Sequence, residues 1–148
     1  MLLEHGTLIL VLDGAQMNLY RNTGKALNAE LELLSEKRQH IAQTAQLGSA
    51  SPGRSFATVS DRRSAYESND LHGQEEVRFI KDGVDRLSET VLQDKKPAVI
   101  IASPIALGIA RKHFSAALRK ALVAEIDRAY AARPAKDVAA LLSAYEVK

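Results

Sequence analysis

The sequence predicts one α/β domain in which a mixed sheet of about five strands begins as an antiparallel meander and is flanked by helices. Three features predict this class: an apolar hairpin near the start, one long amphipathic helix, and a short all-apolar strand between Pro97 and Pro104. At 148 residues the chain has the usual size of one domain and can bury roughly two thirds of its unfolded surface. We therefore interpret residues 1–148 as a single domain.

Composition excludes several classes of protein. A net charge of +2, from 20 Lys+Arg against 18 Asp+Glu, is too small to indicate a nucleic-acid binder from bulk electrostatics. The sequence has no cysteine, so disulfides, thiolate zinc sites and cysteine nucleophiles are excluded. The apolar run at residues 8–12 stops at Asp13-Gly14 and is far shorter than the about 20 residues of a membrane span. We expect a cytoplasmic location and no membrane insertion.

The N-terminal third favours three strands. Residues 7–12 form a β-rich run ended by Asp13-Gly14, and the alternating run 16–21 follows at once, which is typical of a hairpin. After a turn at residues 22–24, residues 26–34 continue with a rough period of two, which favours a third strand. The Ala, Leu, Glu and Lys residues of 26–40 also favour a helix, so this segment keeps two interpretations.

A change of pattern near residue 73 separates a predicted loop from the clearest helix. Residues 43–73 are rich in Ser, Gly, Ala and Arg without a sustained period, which is typical of a long flexible surface loop. Beyond it, apolar residues fall on one helical face: Val77, Ile80, Val84, Leu87 and Val91. Gly73 and the acidic residues after it suit a helix N-terminus. Lys95-Lys96-Pro97 should end the helix.

The C-terminal third predicts a buried strand and further helices. Residues 98–102 are all apolar, as in a central strand covered on both faces. Ser103-Pro104 should start the next helix, because proline is favoured at the first helical position, and Pro134 should start the last. Residues 117–130 fit a helix or a strand, and local propensity favours the helix.

Three segments together resemble the bacterial host-attachment protein family. They are residues 11–15 leading into 19–22, Ser103-Pro104 with Leu107-Gly108, and residues 123–127. The resemblance runs from about residue 7 to residue 145. That family is similar in turn to the catalytic middle domain of archaeal and eukaryotic class I release factors. The resemblance implies an RNase H-like sheet flanked by helices, with a strand at residues 122–127.

The release-factor resemblance reaches a functional motif at Gly73-Gln74. Release factors carry Gly-Gly-Gln just before a helix with an Arg-Phe pair; Gly73, Gln74, Arg78 and Phe79 match, and His72 stands where the first glycine would be. The resemblance implies that Gln74, beside His72 and Gly73, orients a water toward an ester carbonyl. Glutamine only positions groups, so a ribosome must supply the remaining catalysis. Histidine lacks the backbone freedom of glycine, which weighs against inherited hydrolysis.

Other candidate sites have simpler interpretations. A two-metal nuclease site needs converging carboxylates, and Asp13, Glu30 and Asp127 are the trio that fits, although Asp13 suits an Asp-Gly turn. Ser103 stands between a buried strand and a helix, where α/β folds place phosphate-binding or reactive groups, but a helix N-cap role is favoured. We expect no metal and no cofactor.

A local basic cluster is the remaining candidate for partner binding. It comprises Arg111, Lys112, His113, Arg119 and Lys120. These side chains could meet RNA phosphates or an acidic partner, although a solvated basic face is the commoner meaning. Three Phe, four Tyr and no Trp make base-stacking platforms unexpected.

These observations lead to one hypothesis of function and two alternatives. The first is a host-attachment-type interaction protein, non-enzymatic, that acts through a cytoplasmic protein partner. The second is a ribosome-associated, release-factor-like peptidyl-tRNA hydrolase that uses Gly73-Gln74 and binds RNA through Arg78 and the basic cluster. A metal-dependent nuclease acting through Asp13 is the third.

Overall fold

The computed structural model describes residues 1–39 and 59–146, with side chains described for 1–39 and 73–146. Over these residues the chain forms a mixed sheet with flanking helices, which confirms the predicted α/β class. In chain order the elements are β1 (Leu8–Leu12), β2 (Gln16–Asn22), β3 (Leu31–Arg38), α1 (Val59–Asp94), β4 (Ala98–Ala102), α2 (Pro104–Arg111), α3 (Ala116–Ala121), β5 (Leu122–Asp127) and α4 (Ala135–Ala144).

The five-stranded sheet has the order β3-β2-β1-β4-β5. The first three strands form the predicted antiparallel meander, whereas β4 runs parallel to both β1 and β5. Leu10, at the centre of β1, lies opposite Leu19 on one side and Ile100 on the other. The antiparallel hairpin and the parallel strands therefore share β1 as their common neighbour.

Both faces of the sheet are covered, which explains why β1 and β4 are apolar at every position. Leu8, Leu10 and Leu12 pack in a core with α1, α2 and α3. Ile9 and Val11 point the other way, into a core closed by α4. Successive side chains of a strand alternate between faces, so a strand buried on both faces has no alternation of polar and apolar residues.

Helix α1 begins at Val59, so the prediction that its N-terminus lies at Gly73 is wrong. The predicted loop is helical from residue 59 onward, while its first part, residues 43–58, lies outside the described residues. Residues 54–72 contain neither proline nor glycine, and such a segment can be helical without an apolar face. The absence of an apolar period was therefore a poor reason to predict a loop.

The C-terminal end of α1 agrees with the sequence. The helix ends at Asp94, and Lys95 adopts a left-handed backbone with φ of 53° while its N–H donates to the Val91 carbonyl at 2.8 Å. No helix in the described part of the chain combines the length and apolar content needed to cross a membrane.

Two segments with competing interpretations are resolved as strands. The third strand covers Leu31–Arg38, later in the chain than the predicted residues 26–34. Residues 122–127 form β5, as the family resemblance implied, while the helix favoured by local propensity is confined to Ala116–Ala121. Pairing of β5 with β4 outweighs local propensity there.

Candidate functional site

A cleft of about 310 Å³ opens at the carboxyl ends of β1 and β4, between α1 and α2. Ligands of open α/β sheets usually bind at this edge. The fold thereby brings together Asp13 and Ser103, two residues that the sequence singled out separately, and adds Glu76. The full lining comprises Asp13, Gly14, Ala15, Glu76, Ile80, Ser103, Ile105, Ala106 and Ile109.

Asp13 stabilises the turn between β1 and β2 at this edge. Its Oδ1 accepts hydrogen bonds from the backbone N–H groups of Ala15 at 2.8 Å and Gln16 at 2.7 Å. This arrangement is an aspartate-stabilised turn between β1 and β2. The Asp-Gly turn predicted from the sequence is therefore confirmed, and one carboxylate oxygen of Asp13 is committed to it.

Ser103 occupies the N-cap position of α2, as predicted, with Pro104 following it at the start of the helix. Its hydroxyl makes no capping hydrogen bond, unlike that of Ser115, which accepts from the N–H of Leu118 at the start of α3. The half-buried Ser103 hydroxyl lines the cleft and is thus available to a ligand there.

Glu76 is the cleft residue that sequence reasoning missed. Its carboxylate lies close to the β1–β2 turn, and atoms of its side chain would come 3.2 Å from a Cβ added to Gly14. The residue carries no sequence signal of its own, because its role depends on α1 crossing the carboxyl end of β1. A side chain at position 14 would therefore require the Glu76 side chain to shift by a few tenths of an ångström.

The carboxylates predicted to form a nuclease site do not converge. Asp13 follows β1 and Asp127 is the last residue of β5, and these strands are separated by β4 and hence by about 10 Å of sheet. Glu30 precedes β3 at the opposite end of the sheet, since Asn22 pairs with Leu31 there. Among the described residues no group of three potential ligands could hold a metal ion. Asp13, Glu30 and Asp127 therefore do not form the predicted two-metal site.

The predicted catalytic glutamine lies within α1 rather than on a loop. Gly73 and Gln74 are exposed, and a Cβ added to Gly73 would meet no atom within 4 Å. The backbone of His72 is helical as well, so the backbone strain expected for a histidine at this position does not arise; its side chain lies outside the described ones. Gln74 is exposed and does not line the cleft at the carboxyl ends of β1 and β4.

The Arg-Phe pair that follows is divided between surface and core. Phe79 is only 3% exposed and packs against the sheet, whereas Arg78 is exposed. Gln39, just beyond β3, donates to the carbonyl oxygens of Gly14 at 3.3 Å and Glu75 at 3.4 Å. These contacts fix the Gln74 segment of α1 against the sheet.

The basic cluster lies at the α2–α3 corner and is partly neutralised. Arg111 Nε donates to Glu125 Oε1 at 2.7 Å, and the Arg119 guanidinium donates to the Arg111 carbonyl at 3.4 Å. Lys112 and Lys120 are exposed. Arg78 lies on α1, whereas the other four predicted RNA-binding residues lie on or next to α2 and α3.

Residues 6–142 match the family described as bacterial archaeo-eukaryotic release factor family 12. The match begins just before β1 and ends within α4, so it includes the whole sheet, and it confirms the resemblance to release factors. A search of curated proteins gave no match to the chain.

Proposed function

Because the chain belongs to bacterial archaeo-eukaryotic release factor family 12, we propose that it acts at the ribosome, where the Gln74 face of α1 contacts RNA. This face comprises Gln74, Val77, Arg78 and Lys81, which lie three or four residues apart and hence on one side of the helix. The observation that carries the proposal is that all four side chains are exposed directly beside the buried Phe79 and Ile80.

The packing makes this face a rigid one. Phe79 and Ile80 bury the inner side of α1 against the sheet, and Gln39, just after β3, donates to the Glu75 carbonyl. The packed helix backbone sets the direction in which Gln74 projects, which lowers the entropic cost of positioning a reacting water.

The chemistry of Gln74 is limited to positioning. The carboxylates that follow Gln74 along the helix are Glu75 and Glu76, but residues one or two positions apart point to different sides, and Glu76 lines the cleft. Proton transfer and charge stabilisation during ester hydrolysis would therefore come from ribosomal groups. The domain would contribute binding, through Arg78, and orientation, through Gln74.

Co-sedimentation with ribosomes and peptide release from stalled complexes test this proposal. We expect the parent protein to co-sediment and to release peptide. Gln74→Ala should co-sediment normally but release peptide at least tenfold more slowly, whereas Arg78→Ala should weaken co-sedimentation. Gln93→Ala, which alters another exposed glutamine of α1, is the matched control. A parent protein that stays in the supernatant, or full release by Gln74→Ala, would contradict the proposal.

A second proposal is the host-attachment-type interaction protein with a cytoplasmic protein partner. The exposed Lys112 and Lys120 at the α2–α3 corner favour it, because they offer positive charge to an acidic partner surface. If the second proposal holds, the double variant Lys112→Glu/Lys120→Glu should lose capture of the protein partner and should still co-sediment with ribosomes like the parent. Detection of the untagged protein mainly on the cell surface would reject a cytoplasmic partner.

A further inference from the structure

The outer side of β3 is an open edge of the sheet. β3 is the last strand in the order β3-β2-β1-β4-β5, and within the described part of the chain it pairs with β2 alone. Some backbone N–H and C=O groups of an edge strand point away from its neighbour and can pair with another strand. Five of the eight residues of β3 are exposed: Glu32, Leu33, Glu36, Lys37 and Arg38.

The charges along β3 change sign from one end of the strand to the other. Glu32 lies near its start, whereas Lys37 and Arg38 form its end. Arg38 Nε lies 3.3 Å from the Glu36 carboxylate, and this pair adds no net charge. Charged side chains usually prevent edge strands from pairing. An acidic start and a basic end, however, complement each other when two copies of the same strand pair antiparallel.

A β-bulge at Leu34 places Glu32 and Lys37 on the same face of the sheet. Glu32 lies opposite Arg21, whose guanidinium binds the end of α1, and Lys37 Nζ lies 3.7 Å from Asp82 of α1. Without the bulge, residues five positions apart would point to opposite faces. The contact between Lys37 and Asp82 is exposed, with 49% and 50% of the side chains accessible, and is hence weak. Lys37 is therefore available to another carboxylate.

The bulge also selects one antiparallel register for two copies of β3. Leu34 and Ser35 both point to the α1 face, because Leu34 packs against the α1 core and Ser35 lies opposite Leu19 of that core. With a two-fold axis between Leu34 and Ser35, every residue faces one that points to the same side, whereas a shift by one residue would mismatch the faces. The resulting pairs are Leu31 with Arg38, Glu32 with Lys37, Leu33 with Glu36, and Leu34 with Ser35.

The opposite edge of the sheet lacks this complementarity. The exposed residues of β5 are Val123, Glu125 and Asp127, so both of its exposed charges are acidic. Two antiparallel copies of β5 would bring these carboxylates together, and like charges across a strand pair are destabilising. Glu125 is also bound by Arg111 Nε at 2.7 Å. β3 is therefore the edge that suits a second copy of the chain.

We propose that β3 is a homodimerisation edge, which joins the five-stranded sheets of two copies into one continuous sheet. The two-fold axis passes between Leu34 and Ser35, so the interface is the same on both copies. Glu32 of each copy pairs with Lys37 of the other, and these two symmetric ion pairs set the register. Leu33, which is 47% exposed, is partly covered by the second copy. The inference is independent of the ribosomal role.

Sedimentation-velocity centrifugation over a range of protein concentrations tests the association of the intact chain. We expect a monomer–dimer equilibrium. Glu32→Lys and Lys37→Glu should each weaken dimerisation at least tenfold, because each places like charges opposite one another at two symmetric positions. The double variant Glu32→Lys/Lys37→Glu should restore dimerisation, since opposite charges face each other again. Glu89→Lys, which reverses an exposed charge on α1, is the matched control and should associate like the parent.

Disulfide cross-linking tests the register, since the chain contains no cysteine of its own. In the proposed dimer, position 32 of one copy lies about 5 Å from position 37 of the other, close to the separation that a disulfide bridges. Each position lies roughly 17 Å from its own counterpart, five residues along the strand. A mixture of Glu32→Cys and Lys37→Cys should therefore form disulfide-linked dimers on mild oxidation, whereas neither variant should do so alone.

Three results would overturn the inference. The first is a monomer at concentrations up to about 0.5 mM, which would mean millimolar or weaker association. The second is a dimer that both charge reversals leave unchanged; its loss in Val123→Arg would place the interface at β5 instead. The third is cross-linking of either cysteine variant alone as fast as that of the mixture, which would contradict the register.

Discussion

Gly83 allows α1 to lie close against the sheet. A Cβ at this position would come 2.7 Å from Met17 Sδ, whereas a Cβ on Gly108 of α2 would meet no atom within 4 Å. Both glycines are within helices, where glycine costs about 0.5–1 kcal/mol relative to alanine. The two positions therefore distinguish the effect of packing from that of helix propensity.

Gly83→Ala should lower the free energy of unfolding by roughly 1 kcal/mol, because overpacking a core costs about 1–3 kcal/mol and the gain in helix propensity offsets only part of it. Gly108→Ala should raise the free energy of unfolding by about 0.5–1 kcal/mol. Urea unfolding of both variants measures the difference. Equal stabilisation by the two substitutions would show that α1 does not need a glycine at this contact.

Individual residues were predictable from sequence where their role is local. Asp13 accepts its hydrogen bonds from residues two and three positions away, so the sequence alone indicated its turn. Asn18 depends on Ala131, which is distant in the chain, and Glu76 depends on the crossing of α1 over β1. Neither the Asn18–Ala131 contact nor the placement of Glu76 leaves a local pattern in the sequence that would have revealed it.

At the scale of elements, the end of α1 carries an unfavourable backbone conformation. Lys95 has φ of 53°, in the left-handed region where glycine is the usual residue after a helix. Lys112, which follows α2, has φ of −70° and ψ of −15°, a conformation that favours no glycine. Lys112 is therefore a suitable control for a glycine substitution at Lys95, since both lysines directly follow a helix and only Lys95 has a left-handed backbone.

Lys95→Gly should raise the free energy of unfolding by about 1 kcal/mol, since glycine removes the cost of the left-handed conformation. Lys112→Gly should leave stability unchanged or lower it slightly, because glycine increases only the entropy of the unfolded chain there. Thermal unfolding provides the measurement. A decrease in the melting temperature of Lys95→Gly would show that the lysine side chain itself stabilises the end of α1.

Elements were predictable where burial leaves a pattern in the sequence. β1 and β4 were recognised because both faces are buried and every residue is apolar, and the second half of α1 because one face packs on the sheet. The first residues of α1, from Val59 onward, have no such apolar pattern and were mistaken for a loop. β5 was recognised only through the family resemblance, because Leu118, Leu122 and Ile126 also fit one face of a helix.

At the scale of the whole molecule, Tyr20 links stability to alkaline pH. The residue is buried in the α4 core. Burial raises the pKa of its phenol above 10.0; the neighbouring Asn18 side-chain amide lowers the pKa in part, and the charge of Glu36 raises it. Below pH 10.0 the phenol is protonated in both the folded and the unfolded chain. Above it the unfolded chain loses the proton first, so stability falls until the folded pKa is reached.

Tyr20→Phe should therefore reduce the decline in the free energy of unfolding above pH 10, whatever its effect on stability at neutral pH. Tyr130→Phe, at a half-buried tyrosine, should decline like the parent. Denaturant unfolding at a series of alkaline pH values measures the slopes. Parallel curves for the parent and Tyr20→Phe would exclude Tyr20 as the source of the pH dependence.

The position of β1 between β2 and β4 has a consequence during synthesis of the chain on the ribosome. Leu10 meets Leu19 across the hairpin but Ile100 across the parallel pair, so the second partner is synthesised long after the first. At about 5–20 residues per second, translation leaves the apolar edge of β1 open for roughly 5–20 seconds. An open strand edge invites pairing with other chains. The nascent hairpin therefore presents an unpaired apolar strand edge until β4 has been synthesised.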